Sequence, residues 1–345
     1  MKKITITSPD DWHCHLRDDS YLSRTVFDSA KSFRRVIVMP NLVPPILNVA
    51  QCQAYRKRIK SHIPINESFT PLMTLFLNKH TTLSELRTAK DSNFIVACKL
   101  YPAGATTYSD IGVKKLSDIF SQLETMQSID LPLLIHGEIT DLSVDIFDRE
   151  KVFIERCLLR LIKKFPQLRI VLEHISTKEA VDFIVEAPDT IAATITSHHL
   201  LCNRNDLLYQ GIDPHYYCLP ILKTSEDQQA LIKASISGNP KFFLGTDSAP
   251  HLKRLKETGC SCAGIYSAPV ALQICTEIFE QNRALDKLEG FVSQHGAKFY
   301  GLSINTDKIT LIKKPWYVPN SLSLGNECVV PLRAGSRLMW QIKHD

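Results

Sequence analysis

The chain has 345 residues, 44% of them hydrophobic and 22% charged, and carries a formal net charge of +5. This is ordinary soluble composition, long enough to bury a large core without disulfide staples and matched to one (β/α)8 barrel with additions. The mild charge, with short basic clusters such as "KKFPQLR" and "HLKRLKE", argues for a solvated surface over a nucleic-acid track. The opening "MKKITITSPDDW" lacks the apolar region of a signal peptide, and no apolar run is long enough to span a bilayer. The expectation is a cytoplasmic protein with no membrane or nucleic-acid partner, its ten cysteines reduced and Cys260 and Cys262 of "GCSCAG" in a loop.

Eight short apolar runs are predicted as strands, in the order "DDWHCHLR", "RRVIVMPN", "FTPLMTLF", "FIVACKLYP", "LPLLIHGE", "RIVLEHIS", "IAATITSHH" and "KFFLGTDSAPH". They are continuous rather than alternating, as parallel strands covered by helices are. Helical patterns lie between them, among them "AQCQAYRKRIKSH", "VKKLSDIFSQLETM", "DREKVFIERCLLRLIKKF" and "SEDQQALIKASIS". Eight alternations predict a closed TIM barrel. No Ser/Gly linker divides the chain, so residues 1–345 are expected to form a single domain, with the Pro- and Gly-punctuated tail 302–345 as an appendage packed on the barrel.

In "DDWHCHLRDD" an extended strand would put His13, His15 and Arg17 on one face and Cys14 and Leu16 on the other. Same-face neighbours are about 6.6 Å apart, close enough for two imidazoles to tip onto one ion. Ligand-capable side chains recur where the other runs stop: Asn41, Lys99, His136, His174 and Asp247. In a (β/α)8 barrel those strand ends form one mouth, where active sites sit. Taken singly, His136 or His174 reads as a satisfied core histidine, Lys99 as a snorkelling lysine and Asp247 as a cap. Together they make the nitrogen and oxygen set of zinc, and six donors exceed what one tetrahedral ion needs. Lysine ammonium offers no lone pair. A buried neutral amine can add carbon dioxide to become a carbamate, whose two oxygens bridge two cations.

The order His-x-His, Lys, His, His, Asp resembles the amidohydrolase superfamily. The stretches "PDDWHCHLRD", "VIVMPNLVPP", "KLYPAGATT", "LPLLIHGEIT", "EHISTKEA", "YCLPILK" and "FLGTDSAPH" resemble the shorter, single-function class of the dihydroorotase family within it. The similarity runs from about Ile6 to about Leu302. It implies two zinc ions, His13 and His15 on the first, His136 and His174 on the second. Carboxylated Lys99 and a hydroxide would bridge them, and Asp247 would complete the first shell and move the proton. It implies that Arg17, Asn41 and His251 hold a substrate carboxylate, and that main-chain groups near Leu219 and Ala263 meet a pyrimidine ring. Thr106 and Thr107 would lie on a loop that closes over the substrate. The implied reaction is reversible cyclisation of N-carbamoyl-L-aspartate to L-dihydroorotate, in a homodimer. Cys14, where an aliphatic residue is expected, and His198 beside His199 depart from the pattern, and neither histidine of that pair is assigned to a metal.

A related cyclic amidase of the hydantoinase or dihydropyrimidinase kind stays open. It has no need of a carboxylate clamp such as Arg17, Asn41 and His251. A deaminase of the same superfamily would not need Lys99 as a bridge. An inactive scaffold would have lost a ligand, and all six are present.

Overall fold

The structure, a computed structural model, describes residues 2–209 and 211–343, so residues 1, 210, 344 and 345 of the expected domain lie outside the described residues. A first strand, β1 (Lys3–Thr7), precedes eight parallel strands that follow one another in chain order. These are β2 (Asp10–Cys14), β3 (Arg35–Val38), β4 (Thr70–Leu77), β5 (Ile95–Leu100), β6 (Leu133–His136), β7 (Ile170–Glu173), β8 (Ile191–Ile195) and β9 (Phe242–Leu244). Each falls inside one of the predicted runs, except that β4 extends one residue past its own, to Leu77. The ring closes just past β9, where Cys14 bridges Ser248, the Asp247 N–H donates to His13 O at 2.8 Å and the His15 N–H to Ser248 O at 3.0 Å. The chain is a (β/α)8 barrel.

Side-chain alternation divides each barrel strand between two cores. Inside, Trp12, Ile37, Leu72, Ala97, Leu134, Val171, Ala192 and Phe243, one from each strand, share a cluster that plugs the barrel. Their neighbours, such as Val36, Cys98, Ile135 and Leu172, join the outer cluster beneath the helices. This explains the unbroken apolar runs. The next inward position, two residues on, is Lys99, His136, Glu173 and Thr194, all buried. The apolar plug thus carries a polar layer directly above it. A register irregularity in β2 between Asp11 and Cys14 brings His13, adjacent to Trp12, into this layer. Gly245 follows β9 where a Cβ would lie 2.8 Å from Thr194 Cβ and 2.9 Å from His13 Cβ, so only glycine lets the strands close here.

The predicted helices are present as Val49–Lys60, Phe120–Ser128 with a preceding 3-10 turn, residues 149–164 and Ser225–Ile236. Asn48 caps the first, and Thr224 with Asp227 forms a capping box on the last. No helix among the described residues is long and apolar enough to cross a membrane.

The tail forms β10 (Lys308–Tyr317), a short hairpin of β11 (Leu322–Leu324) and β12 (Glu327–Val329), and β13 (Arg337–Ile342). Antiparallel β10 lies between β1 and β13, so the chain's two ends share one sheet. Glu280, at the end of the helix Ala271–Gln281, ties this sheet to the barrel. It accepts from Lys2 Nζ at 2.7 Å and Trp340 Nε1 at 2.8 Å, and pairs with Lys313 Nζ at 2.9 Å. Burial would raise its carboxyl, but the bonds from Lys2, Lys313 and Trp340 outweigh this and hold it at about 2 against an ordinary 4.5. A folded value below the unfolded one stabilises above the unfolded value and is lost as pH falls toward the folded one. Glu280→Gln should therefore lower the urea midpoint at neutral pH. Its gap to the parent should close as pH falls from 4.5 to about 2; a gap independent of pH would deny the carboxylate this role.

Candidate metal and active centre

The polar layer converges at the barrel mouth. His13 Nε2, His15 Nε2 and Asp247 Oδ1 face one another, with His13 to His15 at 3.3 Å, His15 to Asp247 at 3.0 Å and His13 to Asp247 at 3.3 Å. The His174 ring centroid lies 5.0 Å from that of His13 and 4.7 Å from that of His136. Lys99 Nζ, on β5, and His174 Nδ1 are buried with no hydrogen-bond partner. The Lys99 ammonium sits 5.2 Å from the Tyr101 ring centroid. Five of the six predicted donors, His13, His15, His136, His174 and Asp247, thus line one cavity, and Lys99 lies buried in the same layer of the barrel.

One expectation about the strand is corrected. β2 ends at Cys14, so His15 and Arg17 lie beyond it, and Arg17 has φ +57°. The strand cannot continue because the chain turns at the rim, and Arg17 reaches the mouth through that turn rather than by strand alternation. Cys14 does face outward, with Sγ 3.8 Å from Ser29 Oγ. His174 and Asp247 also take left-handed backbone, φ +42° and +44°, which costs about 1–3 kcal/mol each. Each such residue is anchored: Tyr55 Oη donates to Arg17 O, the His174 N–H donates to Thr194 Oγ1 at 2.7 Å, and the Asp247 N–H donates to His13 O.

Burial sets the protonation pattern. It lowers Lys99 to about 8 against the pull of Glu173 and Asp247, so the neutral amine is accessible. It pushes His15 down to about 4 and His174 well below the usual range, leaving lone pairs free for a cation. Burial works against the Asp247 carboxylate, but the His13 charge and hydrogen bonds from His13 and His15 hold it well below the ordinary value.

Sequence reasoning missed the residues that orient these donors. His13 Nδ1 lies 2.8 Å from Glu173 Oε2, which also accepts from Thr194 Oγ1 at 2.6 Å. His136 Nε2 lies 2.6 Å from Glu138 Oε2; in the tautomer that donates to Glu138, Nδ1 keeps the lone pair. Asp11 accepts from Thr246 N at 2.8 Å and Thr246 Oγ1 at 2.6 Å, pinning the closure beside His13. The signal for Glu173 was its place in "VLEHIS", a carboxylate inside an apolar run directly before a histidine.

The remaining predicted residues lie around the same mouth. Arg17 donates through Nε to Pro250 O at 3.1 Å, Nη2 lies 3.0 Å from His251 Nε2, and Nη1 is buried without a partner. Asn41 Nδ2 donates to Thr107 O at 3.0 Å, while Asn41 Oδ1 is buried and unpaired. Thr107 Oγ1 reaches Ala263 O at 3.4 Å, and Thr106 N donates to Ser109 Oγ at 2.9 Å. Leu219, Ala263, Thr106 and Thr107 line one cavity with His13, His15, Arg17, Asn41, His136, His174 and Asp247. Its volume is about 20 Å³, room for little more than one water. A larger groove of about 350 Å³, lined by residues such as Val113, Phe120, Phe153 and Arg156, holds no such cluster of donors.

His198, His199 and Cys218 bring a second set of donor atoms within 4.8 Å of one another. His199 is already engaged, Nδ1 with Thr196 Oγ1 at 2.8 Å and Nε2 with Pro220 O at 3.1 Å, and Cys218 Sγ donates to that same carbonyl.

The amidohydrolase family profile matches residues 11–327. A dihydroorotase from Coxiella burnetii is 66% identical over 343 residues, 99% of this chain and 99% of its own. The chain belongs to the amidohydrolase family, among its dihydroorotases. The crystal structure of dihydroorotase from Campylobacter jejuni matches it with TM-score 0.91 at 39% identity, covering 99% of this chain and 98% of that one. Dihydroorotase from Saccharomyces cerevisiae, in complex with 5-fluoroorotic acid, matches with TM-score 0.91 at 31% identity and 99% of both chains.

Membership among the dihydroorotases of this family implies a metal cofactor, and the donor set suits one. Ligand atoms of His13, His15 and Asp247 lie within 4.8 Å of one another, and Lys99 Nζ and His174 Nδ1 lack partners in the same buried layer. Glu173 stands behind His13 as a carboxylate that fixes its tautomer. Glu173→Gln should weaken metal affinity by about 10–100-fold, read as metal content after dialysis against a weak chelator. Content equal to the parent's would remove Glu173 from that role.

Proposed function

We propose that the chain interconverts L-dihydroorotate and N-carbamoyl-L-aspartate, the ring-closing direction serving de novo pyrimidine (UMP) biosynthesis. The observation that carries this reading is a buried guanidinium with an unsatisfied nitrogen, Arg17 Nη1, at the edge of the His, Lys and Asp centre. The shared name of its relatives supports it. So does the ligand of the yeast neighbour, a pyrimidine bearing a carboxylate.

In this reading His13, His15, His136, His174 and Asp247 would hold zinc, with Lys99, carboxylated from its neutral amine, as a further oxygen ligand. When bound, such ions lower the pKa of a water and polarise the scissile carbonyl. Arg17 binds the substrate carboxylate through its free N–H groups, with Asn41 and His251 beside it. His251, kept neutral by burial and by the Arg17 charge, adds no positive charge to the clamp. Main-chain groups at Leu219 and Ala263 meet the ring. Asp247 takes a proton from the attacking water as its oxygen bonds to the carbonyl carbon, and delivers a proton to the ring nitrogen as the C–N bond breaks. The cavity is too small for a pyrimidine, so the Thr106–Thr107 loop withdraws from Asn41 and Ala263 to admit substrate and then closes to exclude water. We read the chain as one barrel domain over residues 1–345, with 302–345 as an appendage that β1 joins. It would act as a homodimer in the cytoplasm on a small-molecule substrate.

The test is dihydroorotate turnover with and without chelator, with dihydrouracil as the rival substrate. Chelator-sensitive turnover of dihydroorotate alone is expected. Turnover of dihydrouracil instead would overturn the carboxylate clamp in favour of a hydantoinase-like amidase, and no turnover by metal-replete protein would overturn the enzyme reading. Removing one partner of a buried charge contact costs about 2–5 kcal/mol, so Arg17→Ala should lower kcat/KM roughly 30- to 5,000-fold. An unchanged kcat/KM would take Arg17 out of the clamp. Asp247→Asn should keep much of the metal and lose about 10²–10⁴-fold in kcat; near-parental turnover would end its proton-transfer role.

A further inference from the structure

Lys256 ends the short helix Lys253–Lys256, and its side chain is buried although no carboxylate faces it at bonding distance. Its Nζ donates to three backbone carbonyls, Tyr217 O, Cys262 O and Gly264 O, each at 2.8 Å. An ammonium has three N–H groups, so every donor is used. The three carbonyls come from two separate segments. One runs from Tyr217 into Leu219, and the other carries Ala263 between Cys262 and Gly264.

Those are the two stretches whose main chain is read above as meeting the pyrimidine ring. Gly264 N–H donates to Tyr217 O at 3.0 Å, so the segments touch at the point Lys256 grips. The 262–264 segment also passes close to the substrate clamp: His251 Nε2 lies 3.0 Å from Ala263 O, and a Cβ on Gly264 would come within 2.7 Å of Ala249 O. Apolar packing does not hold the approach to it, since Thr258, Gly259 and Cys260 are exposed and Ser261 and Cys262 only half-buried. A buried charge is a poor choice for stability alone, because an apolar side chain of similar volume often serves as well. What a point charge adds is geometry, three carbonyls held around one atom.

We propose that Lys256 is a positioning residue that sets the spacing between the Leu219 and Ala263 main chain and so shapes the ring-binding edge of the site. The proposal rests on the dihydroorotate reading above. Lys256 touches neither the metal-ligand cluster nor Arg17, so its loss acts on ring binding and leaves the proton path of Asp247 in place.

The experiment compares the parent protein with Lys256→Met and with Lys256→Gln, which keeps two N–H donors and carries the test should Lys256→Met not fold. KM and kcat for dihydroorotate, Kd for 5-fluoroorotic acid, metal content and Tm are measured on each. For Lys256→Met, KM and Kd should rise about tenfold or more while kcat stays within about threefold of the parent, the pattern of lost binding rather than lost chemistry. Metal content should match the parent, and Lys256→Gln should fall between. Parental KM and Kd in folded, metal-replete variants, with any change confined to Tm, would overturn the proposal and leave Lys256 a structural residue. Absence of dihydroorotate turnover in the parent would instead overturn the functional reading, and is seen before any variant is compared.

Discussion

Everything at the mouth of this barrel stands on one layer of apolar side chains. Trp12, Leu134, Val171, Phe243 and their counterparts from the other strands fill the interior below the site. Because a strand repeats every two residues, the position above each plug residue also points inward. There Lys99, His136, Glu173 and Thr194 stand over Ala97, Leu134, Val171 and Ala192. The plug excludes water from beneath, which lowers Lys99 toward neutrality and keeps His15 and His174 unprotonated. The chemistry of the donors follows from the packing of the residues under them.

Burying so many polar groups is tolerable only because they are wired to one another. Glu173 joins His13 to Thr194, Glu138 steadies His136, and Asp11 binds the β2 and β9 ends together through Thr246. The same network carries the backbone strain. His174 and Asp247 sit at positive φ, and their own N–H groups are held by Thr194 and by the His13 carbonyl. Strain is placed at the residues that must aim a donor into the centre, where the surrounding hydrogen bonds over-determine it.

The substrate side is built differently. The side chains proposed for it, Arg17, Asn41 and His251, lie after strands, and the groups proposed to meet the ring are main chain on loops. Loops hold position through specific hydrogen bonds, as Lys256 shows with three carbonyls and Asn41 with Thr107 O. Of the candidate metal donors, His13, Lys99 and His136 sit in strands and His15, His174 and Asp247 just past them, while the opposite wall rests on contacts able to part, as the proposed admission and enclosure of a ring requires.

The eight barrel strands and the six candidate metal donors were legible in the order of residues. Strand runs are local patterns, and a ligand-capable residue at the end of an apolar run is visible without knowing its neighbours. Glu173 and Asp11 were present in the same words without their partners, because His13 and Thr246 come to them from elsewhere in the barrel, and Glu138, two residues from His136, became a partner only once the chain past β6 turned its carboxylate back. β1 was missed for a like reason: "KITIT" becomes a sheet strand only by pairing with Lys308–Tyr317, some three hundred residues away. Chain order by itself determined the barrel and the set of groups that gather at its mouth. Tertiary structure decided which nitrogen of His13 faces the centre, where β2 stops and Arg17 turns, and which lysine is bare and which is clamped, since all of these depend on atoms brought from distant parts of the chain.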